Sequence, residues 1–427
     1  MPFLSTRTTG QILGLLGATG YELKEETLLS RAFSDAIHPT RIIPFYFKAT
    51  GTLQSDDVTI TTLVTNNRFR VFKQLVERYR GPISVTIHIP LPLHSSFASL
   101  KPDHPSRVAL NNLHALYASS PLFSEHVDVH LALSPFTNPL SAGKVPSPEG
   151  EGGRQFNVWR NAARLFARTD FVMMLDVDFA VCTDWRGAVR DTLRAAASGP
   201  NRHLSRTARL QLGGINSADI VGKLREGTAA LVVPAFEYAL LRLAKASPPV
   251  IASFHASWAP GHNSTDYEKY YSMPPGSHTV YRVEQYQSAY EPYVITSKRV
   301  SWCDERFAGY GGNKAACLFE MYLSGVSFYV LSDHFLIHQS HKYEEEARRE
   351  EVDLSHRYFA LGTADLPSFQ RKSNRKLYAD FKEESCLRYL YRYYREGTLH
   401  AERAANAREE CKKIKNIAKT VSQLVND

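Results

Sequence analysis

Residues 171–185 read FVMMLDVDFAVCTDW: an apolar run, two aspartates separated by a valine, then a phenylalanine. FVMML is the material of a strand buried on both faces. Such a strand belongs to an open α/β sheet, where ligands sit beyond the carboxyl ends of the strands. Asp176 and Asp178 occupy such an end. Residues two apart lie on one face of an extended backbone, so at the end of the strand both carboxylates can face one ligand. Two unpaired carboxylates against an apolar sheet repel each other and are costly to desolvate. A divalent cation removes both problems. The alternative is that one aspartate caps a helix or pairs with an arginine.

The surroundings support a sheet. VTITTLV (58–64) is a β-branched strand, and NRFRVFKQLVERY (67–79) follows as an amphipathic helix. PISVTIHIPL (82–91) and HVDVHLAL (126–133) are further strands, and this order implies right-handed crossovers in a mainly parallel sheet. FNVWRNAARLFARTD (156–170) is a helix leading into the opening strand. Residues 186–228 are helical in part and run into a strand, TAALVVPAF (228–236), while SFYVLSDHFLIH (327–338) holds one or two more. The spacing predicts a helix-rich lead-in over 1–54, a main domain over 55–345 and a helical extension over 346–427. In the extension, Ala407, Cys411, Ile414, Ile417, Val421 and Leu424 recur at three- and four-residue steps, a stripe for packing on the domain. GATG (17–20) has Leu23 where a dinucleotide loop needs its third glycine, and reads as a turn.

Composition narrows the function classes. The net charge is +8, but the basic residues are dispersed without interleaved aromatics, which argues against nucleic acid as a partner. No apolar run reaches the roughly 18 residues of a spanning helix. ILGLLGA (12–18) is too short for an anchor or a signal peptide, so membrane association stays open. Cys182, Cys303, Cys317, Cys386 and Cys411 lack CxxC spacing, so neither a zinc ribbon nor a disulfide framework is expected, with room for one bridge in an oxidising compartment.

Two reaction classes place Asp-x-Asp after a strand. Phosphohydrolases of the haloacid-dehalogenase type use the first aspartate as nucleophile, but Ala180 stands where they want threonine or valine. Sugar transferases of the GT-A type use the pair to hold a metal against a nucleotide diphosphate, often with a third ligand from near the C-terminal end. LIHQSH (336–341) offers His338 and His341. Carboxylates with an imidazole suit manganese better than calcium, with magnesium possible.

Seven collinear segments resemble the LARGE-type glycosyltransferases, glycosyltransferase family 49. They are FNVWRNAA (156–163), MLDVDF (174–179), LVVPAFE (231–237), GHNSTDY (261–267), YEPYVI (290–295), DERFAGYGGNKAACLFEMYLSGVSFYVL (304–331) and FLIHQSH (335–341). The resemblance implies a GT-A fold for 55–345: a Rossmann-like, mixed but mainly parallel α/β sheet flanked by helices. It further implies a UDP-sugar donor, a glycan acceptor and manganese-dependent, inverting transfer of glucuronic acid in the Golgi or another secretory-pathway lumen. No anchor or signal is visible in the chain, which leaves the cytoplasm open. Carried over by position, Asp176, Asp178 and His338 hold the metal, His341 being the weaker choice, and Asn157, Arg160 and Asn161 lie along the donor.

Inversion requires a base opposite the leaving group, and adjacent Asp304 and Glu305 are the candidates; their alternative is an acidic turn paired with Arg306. Lys314 and Arg160 suit a diphosphate or uronate. His262 and Asp266 are candidate polar contacts. The sequon at Asn263 falls inside a matched stretch and is expected to be unoccupied. Gly312 replaces an expected bulky aromatic and Tyr270 an expected tryptophan, which leaves room for a catalytically silent glycan-binding protein.

Overall fold

The computed structural model describes residues 40–91, 95–134, 154–197, 211–212, 217–238, 251–253, 262–277, 279–307, 309, 311–339 and 366–426. Within them, ten strands form one large sheet. In spatial order they run β1 (Arg41–Phe47), β4 (Val127–Ser134), β3 (Ile83–Pro90), β2 (Val58–Thr65), β5 (Phe171–Met174), β12 (Tyr293–Ser297), β8 (Ala229–Val233), β13 (Ser327–Leu331), β11 (Thr279–Arg282) and β7 (Gln211–Leu212). A second sheet is ordered β10 (Ile251–Ser253), β9 (Ala235–Tyr238), β14 (Leu336–His338), β6 (Phe179–Val181).

The large sheet is mixed and mostly parallel, five of its nine pairings running parallel. It is the mixed, mainly parallel α/β sheet flanked by helices that the sequence predicts. The helices α1 (Phe69–Tyr79), α2 (Pro105–Ala118) and α3 (Pro121–His126) lie between β2 and β4, while α4 (Phe156–Phe166) precedes β5. Next, α5 (Trp185–Ala197) and α6 (Ser217–Glu226) separate β6 from β8, and the short α7 (Tyr267–Ser272) precedes β11. Helix α8 (Asn313–Leu323) joins β12 to β13, and α9 (Leu366–Arg395), α10 (Ala405–Lys412) and α11 (Ala418–Asn426) form the C-terminal extension.

Both faces of the large sheet are covered, and the strands show it residue by residue. In β8 the side chains of Ala229, Leu231 and Val233 enter one core, and those of Ala230 and Val232 enter another. β13 repeats the division, with Tyr329 and Leu331 on the first side and Phe328 and Val330 on the second. Period-two alternation with apolar residues at every position is what a doubly covered sheet requires. The second core includes Phe381 and Leu390 of α9 together with Ala407, Cys411, Ile417, Val421 and Leu424. The apolar stripe of the extension therefore packs on the domain, as its spacing predicts.

Two features depart from the sequence reading. The end of the expected helical lead-in is strand β1, antiparallel to β4 at the sheet edge. An edge tolerates Pro44, which has no N–H to donate, and Phe45, at φ 49°, marks the register break between Ile43 and Phe47. The cysteines also pair further than expected. Cys303 bonds Cys317, and Cys386 bonds Cys411. The second bridge ties α9 to α10, a proximity that linear spacing does not reveal.

The Cys386–Cys411 bridge closes a loop of 25 residues between buried helices. Replacing both cysteines by serine should lower unfolding stability by about 2–4 kcal/mol while sparing turnover. Unchanged denaturant midpoints for oxidised protein and variant would show that the bridge contributes nothing.

Candidate active site

Strand β5 ends where the aspartates begin. Leu175 N–H still donates to Thr61 O of β2 (3.1 Å), but Phe179 N–H then donates back to Asp176 O (3.2 Å), closing a turn over Asp176–Phe179. The chain leaves the large sheet at Met174 and enters the small one at Phe179. The two carboxylates thus sit in a turn at the carboxyl end of a buried strand. β6 runs antiparallel to β14 with Phe179 opposite His338, and Gln339 N–H donates to Asp178 O (2.8 Å). The buried His338 ring packs on Phe179 (4.9 Å between centroids), and Phe179 packs on Tyr293 (4.3 Å). The histidine predicted from the far end of the domain is therefore brought to the acidic turn.

Asp176 is held on several sides. Its Oδ1 lies 3.4 Å from Arg160 Nη2, its Oδ2 lies 3.5 Å from Lys314 Nζ, and Tyr293 Oη donates to Oδ2 at 2.9 Å. The ammonium of Lys314 also lies over the Tyr293 ring, 3.4 Å from its centroid. Burial alone would raise the Asp176 pKa, but the Lys314 and Arg160 charges and the bonds from Tyr293 and Arg160 hold it well below the usual carboxylate range. Burial pushes Lys314 down against the pull of Asp176 and Glu291, and pushes Glu291 up despite the nearby lysine and arginine. Side-chain exposures of 36% for Asp176, against 7% for Lys314 and 10% for Arg160, show which group solvent reaches. The carboxylate is open and its counter-ions lie behind it.

Helix α4 clamps the segment leading into α8. Asn157 and Asn161, one turn apart, are both buried. The Asn157 amide donates to Asp304 O (2.7 Å) and Asn313 O (3.0 Å). Asn161 donates to Cys303 O and Glu305 Oε1 (both 2.8 Å) and accepts from Cys303 N–H (3.1 Å). Of the three residues expected along the donor, only Arg160 thus reaches Asp176; Asn157 holds the backbone just before Lys314, and Asn161 holds the stretch from Cys303 to Glu305. Arg160 also donates to Asn313 Oδ1 (2.7 Å), and the Cys303–Cys317 bridge closes the same segment covalently.

The two base candidates separate. Asp304 takes a two-pronged grip from Arg306, whose Nη2 also reaches Glu384 of α9 (2.8 Å), which is the acidic-turn alternative. Glu305 points inward, is buried, and is bonded to Asn161. Gly312 starts α8 at φ 70°, a left-handed conformation that side chains rarely adopt, and a Cβ there would meet Tyr378 and Phe307 (3.4 and 3.5 Å).

Tyr270 joins Phe236, Tyr267 and Tyr271 in an aromatic group and donates to His334 O (3.4 Å). Asp266 caps α7 by accepting from Lys269 N–H (3.0 Å). Thr265, the sequon hydroxyl, is buried and shares a hydrogen bond with Tyr290 Oη (2.8 Å). His341 lies outside the described residues, as do the side chains of His262 and Asn263.

The donors expected for a divalent cation, two carboxylates and an imidazole, converge through the backbone on one turn. Their side chains face protein cations in part, Asp176 as above and Asp178 against Arg68 Nη1 (3.4 Å). Among the described residues no three His, Cys, Asp or Glu side chains are gathered as a ready cation cluster. The donor types are those a divalent cation takes, but as they stand the two carboxylates are held by protein cations.

Residues 57–362 match the family described as "Glycosyl-transferase for dystroglycan". The chain belongs to that family. Its relatives include xylosyl- and glucuronyltransferase LARGE2 of Rattus norvegicus, 26% identical over 350 residues, covering 75% of this chain and 42% of that protein. Beta-1,4-glucuronyltransferase 1 of Mus musculus is 25% identical over 365 residues, covering 79% and 77%. Among solved structures, GalNAc-T7 with UDP, GalNAc and Mn2+ overlaps at a TM-score of 0.37 and 11% identity, covering 79% of this chain and 53% of that one. S. aureus TarS 1-349 in complex with UDP overlaps at 0.32 and 12%, covering 85% and 91%. Overlaps this loose carry no residue correspondence. For a family member, Ala180 has a plain role as a β6 residue paired with Ile337, not a phosphohydrolase's hydroxyl position.

The sequence reading missed Arg68, Glu291, Tyr293 and Asn313. Arg68 follows the carboxyl end of β2, the parallel neighbour of β5, so the ligand-side rule pointed to it. Glu291 precedes β12 and Tyr293 opens it, and Tyr293 reaches Asp176 only because β12 runs antiparallel to β5. No local pattern announces that direction.

Asn161→Ala removes both amide bonds to Cys303 and strips Glu305 of a buried donor. Chemical denaturation should register a loss of about 2–4 kcal/mol. A change below about 0.5 kcal/mol would mean that the clamp is not a stability element.

Proposed function

We propose that the chain transfers glucuronic acid from a UDP-sugar to a glycan hydroxyl, with inversion and with a divalent cation, manganese in the first instance. The observation that carries this is the placement of His338 across from Phe179, beside the Asp176–Asp178 turn, with Arg160 and Lys314 in the same corner. Family membership supports the reaction class, and the names of the relatives support glucuronate as the sugar. In this reading Asp176, Asp178 and His338 hold the cation. Bound there, it supplies Lewis-acid neutralisation of charge on the departing diphosphate.

The remaining chemistry falls to the chain's own groups. The acceptor oxygen attacks the anomeric carbon while its proton passes to a carboxylate. The bond from that carbon to the diphosphate oxygen breaks, and its electron pair leaves with UDP. Glu305 is the better base of the two candidates, because Asp304 is held by Arg306. Arg160 orients the diphosphate from behind the open carboxylate. The two disulfides support an oxidising, secretory-lumen setting. Among the described residues no helix is long and apolar enough to cross a membrane.

UDP release should be measured across a panel of UDP-sugars with manganese and with chelator. Turnover is expected with UDP-glucuronate and lost in chelator; turnover that ignores chelator refutes the cation's role. Asp178→Asn should stay folded and lose most manganese-dependent UDP binding. Glu305→Gln should lower turnover by about a hundredfold with UDP binding kept, against a few-fold change for Asp304→Asn. UDP binding without turnover on any donor or glycan would favour the silent glycan-binding alternative.

A further inference from the structure

Charge is dispersed along most of the chain, but RYLYRYYR (388–395) sets three arginines and four tyrosines in eight residues at the end of α9, a concentration that the sequence reading passed over. The helix divides them. Tyr389 and Tyr393 turn inward, donating to Glu320 Oε1 (3.3 Å) and Leu323 O (3.1 Å) of α8. Tyr391 and Tyr394 stay outside, 46% and 45% exposed, and are two of the four large hydrophobic side chains exposed among the described residues. Steps of three and four place Arg388, Tyr391, Tyr394 and Arg395 on one face of the helix. Arg388 shares Glu320 with Tyr389, and Arg392 pairs with Glu396. Arg395 is exposed and has no ion-pair partner among the described residues. We infer that this face binds an anionic, uronate-bearing glycan, as a surface separate from the transfer site.

Tyr391 and Tyr394 are one turn apart, about 5–6 Å between their Cβ atoms, a step close to that of successive sugars in a linear glycan. A pyranose lays its C–H face on such rings while its hydroxyls stay in water. A uronate adds a carboxylate, which a planar guanidinium grips with two parallel hydrogen bonds. Other occupants fit less well. A membrane takes up a broad apolar face, and that of α9 is already buried in the core through Phe381, Cys386, Leu390 and Tyr393. A stable protein interface covers about 800 Å² per partner around an apolar centre, and here two rings stand among arginines. The face also lies in line with the site. Helix α9 follows α8, with Tyr378 beside Gly312 at the start of α8 and Tyr393 bonded to Leu323 at its end. From Tyr378 to Tyr394 is about 24 Å of helix. Only an acceptor of several sugars spans that length, so the surface favours long acceptors over short ones. The identity of the ligand rests on the reading above, that a uronate is transferred; the surface itself does not.

The test is calorimetric binding of a hyaluronan oligosaccharide, an unsulfated chain in which every second sugar is glucuronate, to the whole protein. A chitin oligosaccharide of equal length is the neutral control. Wild-type protein should bind the anionic chain at least about tenfold tighter than the neutral one, and added salt should weaken it. Replacing both exposed rings, Tyr391→Ala with Tyr394→Ala, should weaken binding at least about tenfold with thermal unfolding unchanged. Arg395→Gln should weaken it about threefold, and decides by the same measurement if the double variant does not fold. In turnover, the double variant should raise KM for a long acceptor and leave kcat, and KM for a short acceptor, unchanged. Equal hyaluronan affinity in wild type and double variant overturns the surface and leaves the transferase reading in place. Equal affinity for the two oligosaccharides overturns the uronate as ligand. Tyrosine-dependent binding of anionic vesicles or single-stranded DNA, with none of hyaluronan, overturns the glycan. Tyrosine-dependent hyaluronan binding by a protein that turns over no UDP-sugar upholds the surface and refutes the transfer.

Discussion

Between Met174 and Phe179 the backbone must pass from one sheet to another, and that passage makes the site. A strand that simply continued would keep Asp176 and Asp178 on one face but inside the sheet's hydrogen-bonded ladder. The turn closed by Phe179 N–H on Asp176 O instead leaves both at the rim of the large sheet, where the strand's own hydrogen bonding has just ended. Two further chain segments make the same passage. β8 gives way to β9 across Pro234, and β13 gives way to β14, so three polypeptide stretches cross together. Leu336 N–H donating to Pro234 O (2.8 Å) stitches two of them, and His338 arrives as the last residue of the third.

Behind that rim lies a buried electrostatic assembly that is nearly self-sufficient. Asp176 is matched by Lys314 and Arg160, and Glu291 is kept close to them. Burying such groups is costly unless each has a partner. Here the partners come from α4, the acidic turn, β12 and α8, four elements distant in sequence. The asparagines of α4 and the Cys303–Cys317 bridge hold those elements in register, so the geometry at Asp176 depends on contacts that never touch it.

Much of this was readable in the residues. The β-branched and apolar runs located the strands, the carboxyl-end rule located Asp176 and Asp178, and LIHQSH supplied His338. The asparagines of FNVWRNAA are buried and spend their amides on the segment leading into α8. Helical spacing showed that they share a face, yet whether that face meets ligand or protein depends on what the sheet order brings against it. Strand direction was the other hidden quantity. VTITTLV and YEPYVI look equally like strands, but only the antiparallel course of β12 puts Tyr293 at the end of β5. The cysteine pairs were unreadable for a related reason: their closeness arises from the packing of separate segments.

One detail of the extension reaches further than its place in the chain suggests. The rings of Tyr378 and Phe307 stand where the glycine at 312 leaves space, so part of the wall around the start of α8 is lent by a helix that follows the large sheet. Volume at these positions is a shared quantity: a bulkier residue in one must be matched by a smaller one in the other. A graft that moved the sheet and its loops without this helix would carry an open seam into its new host, however faithfully its acidic turn was copied.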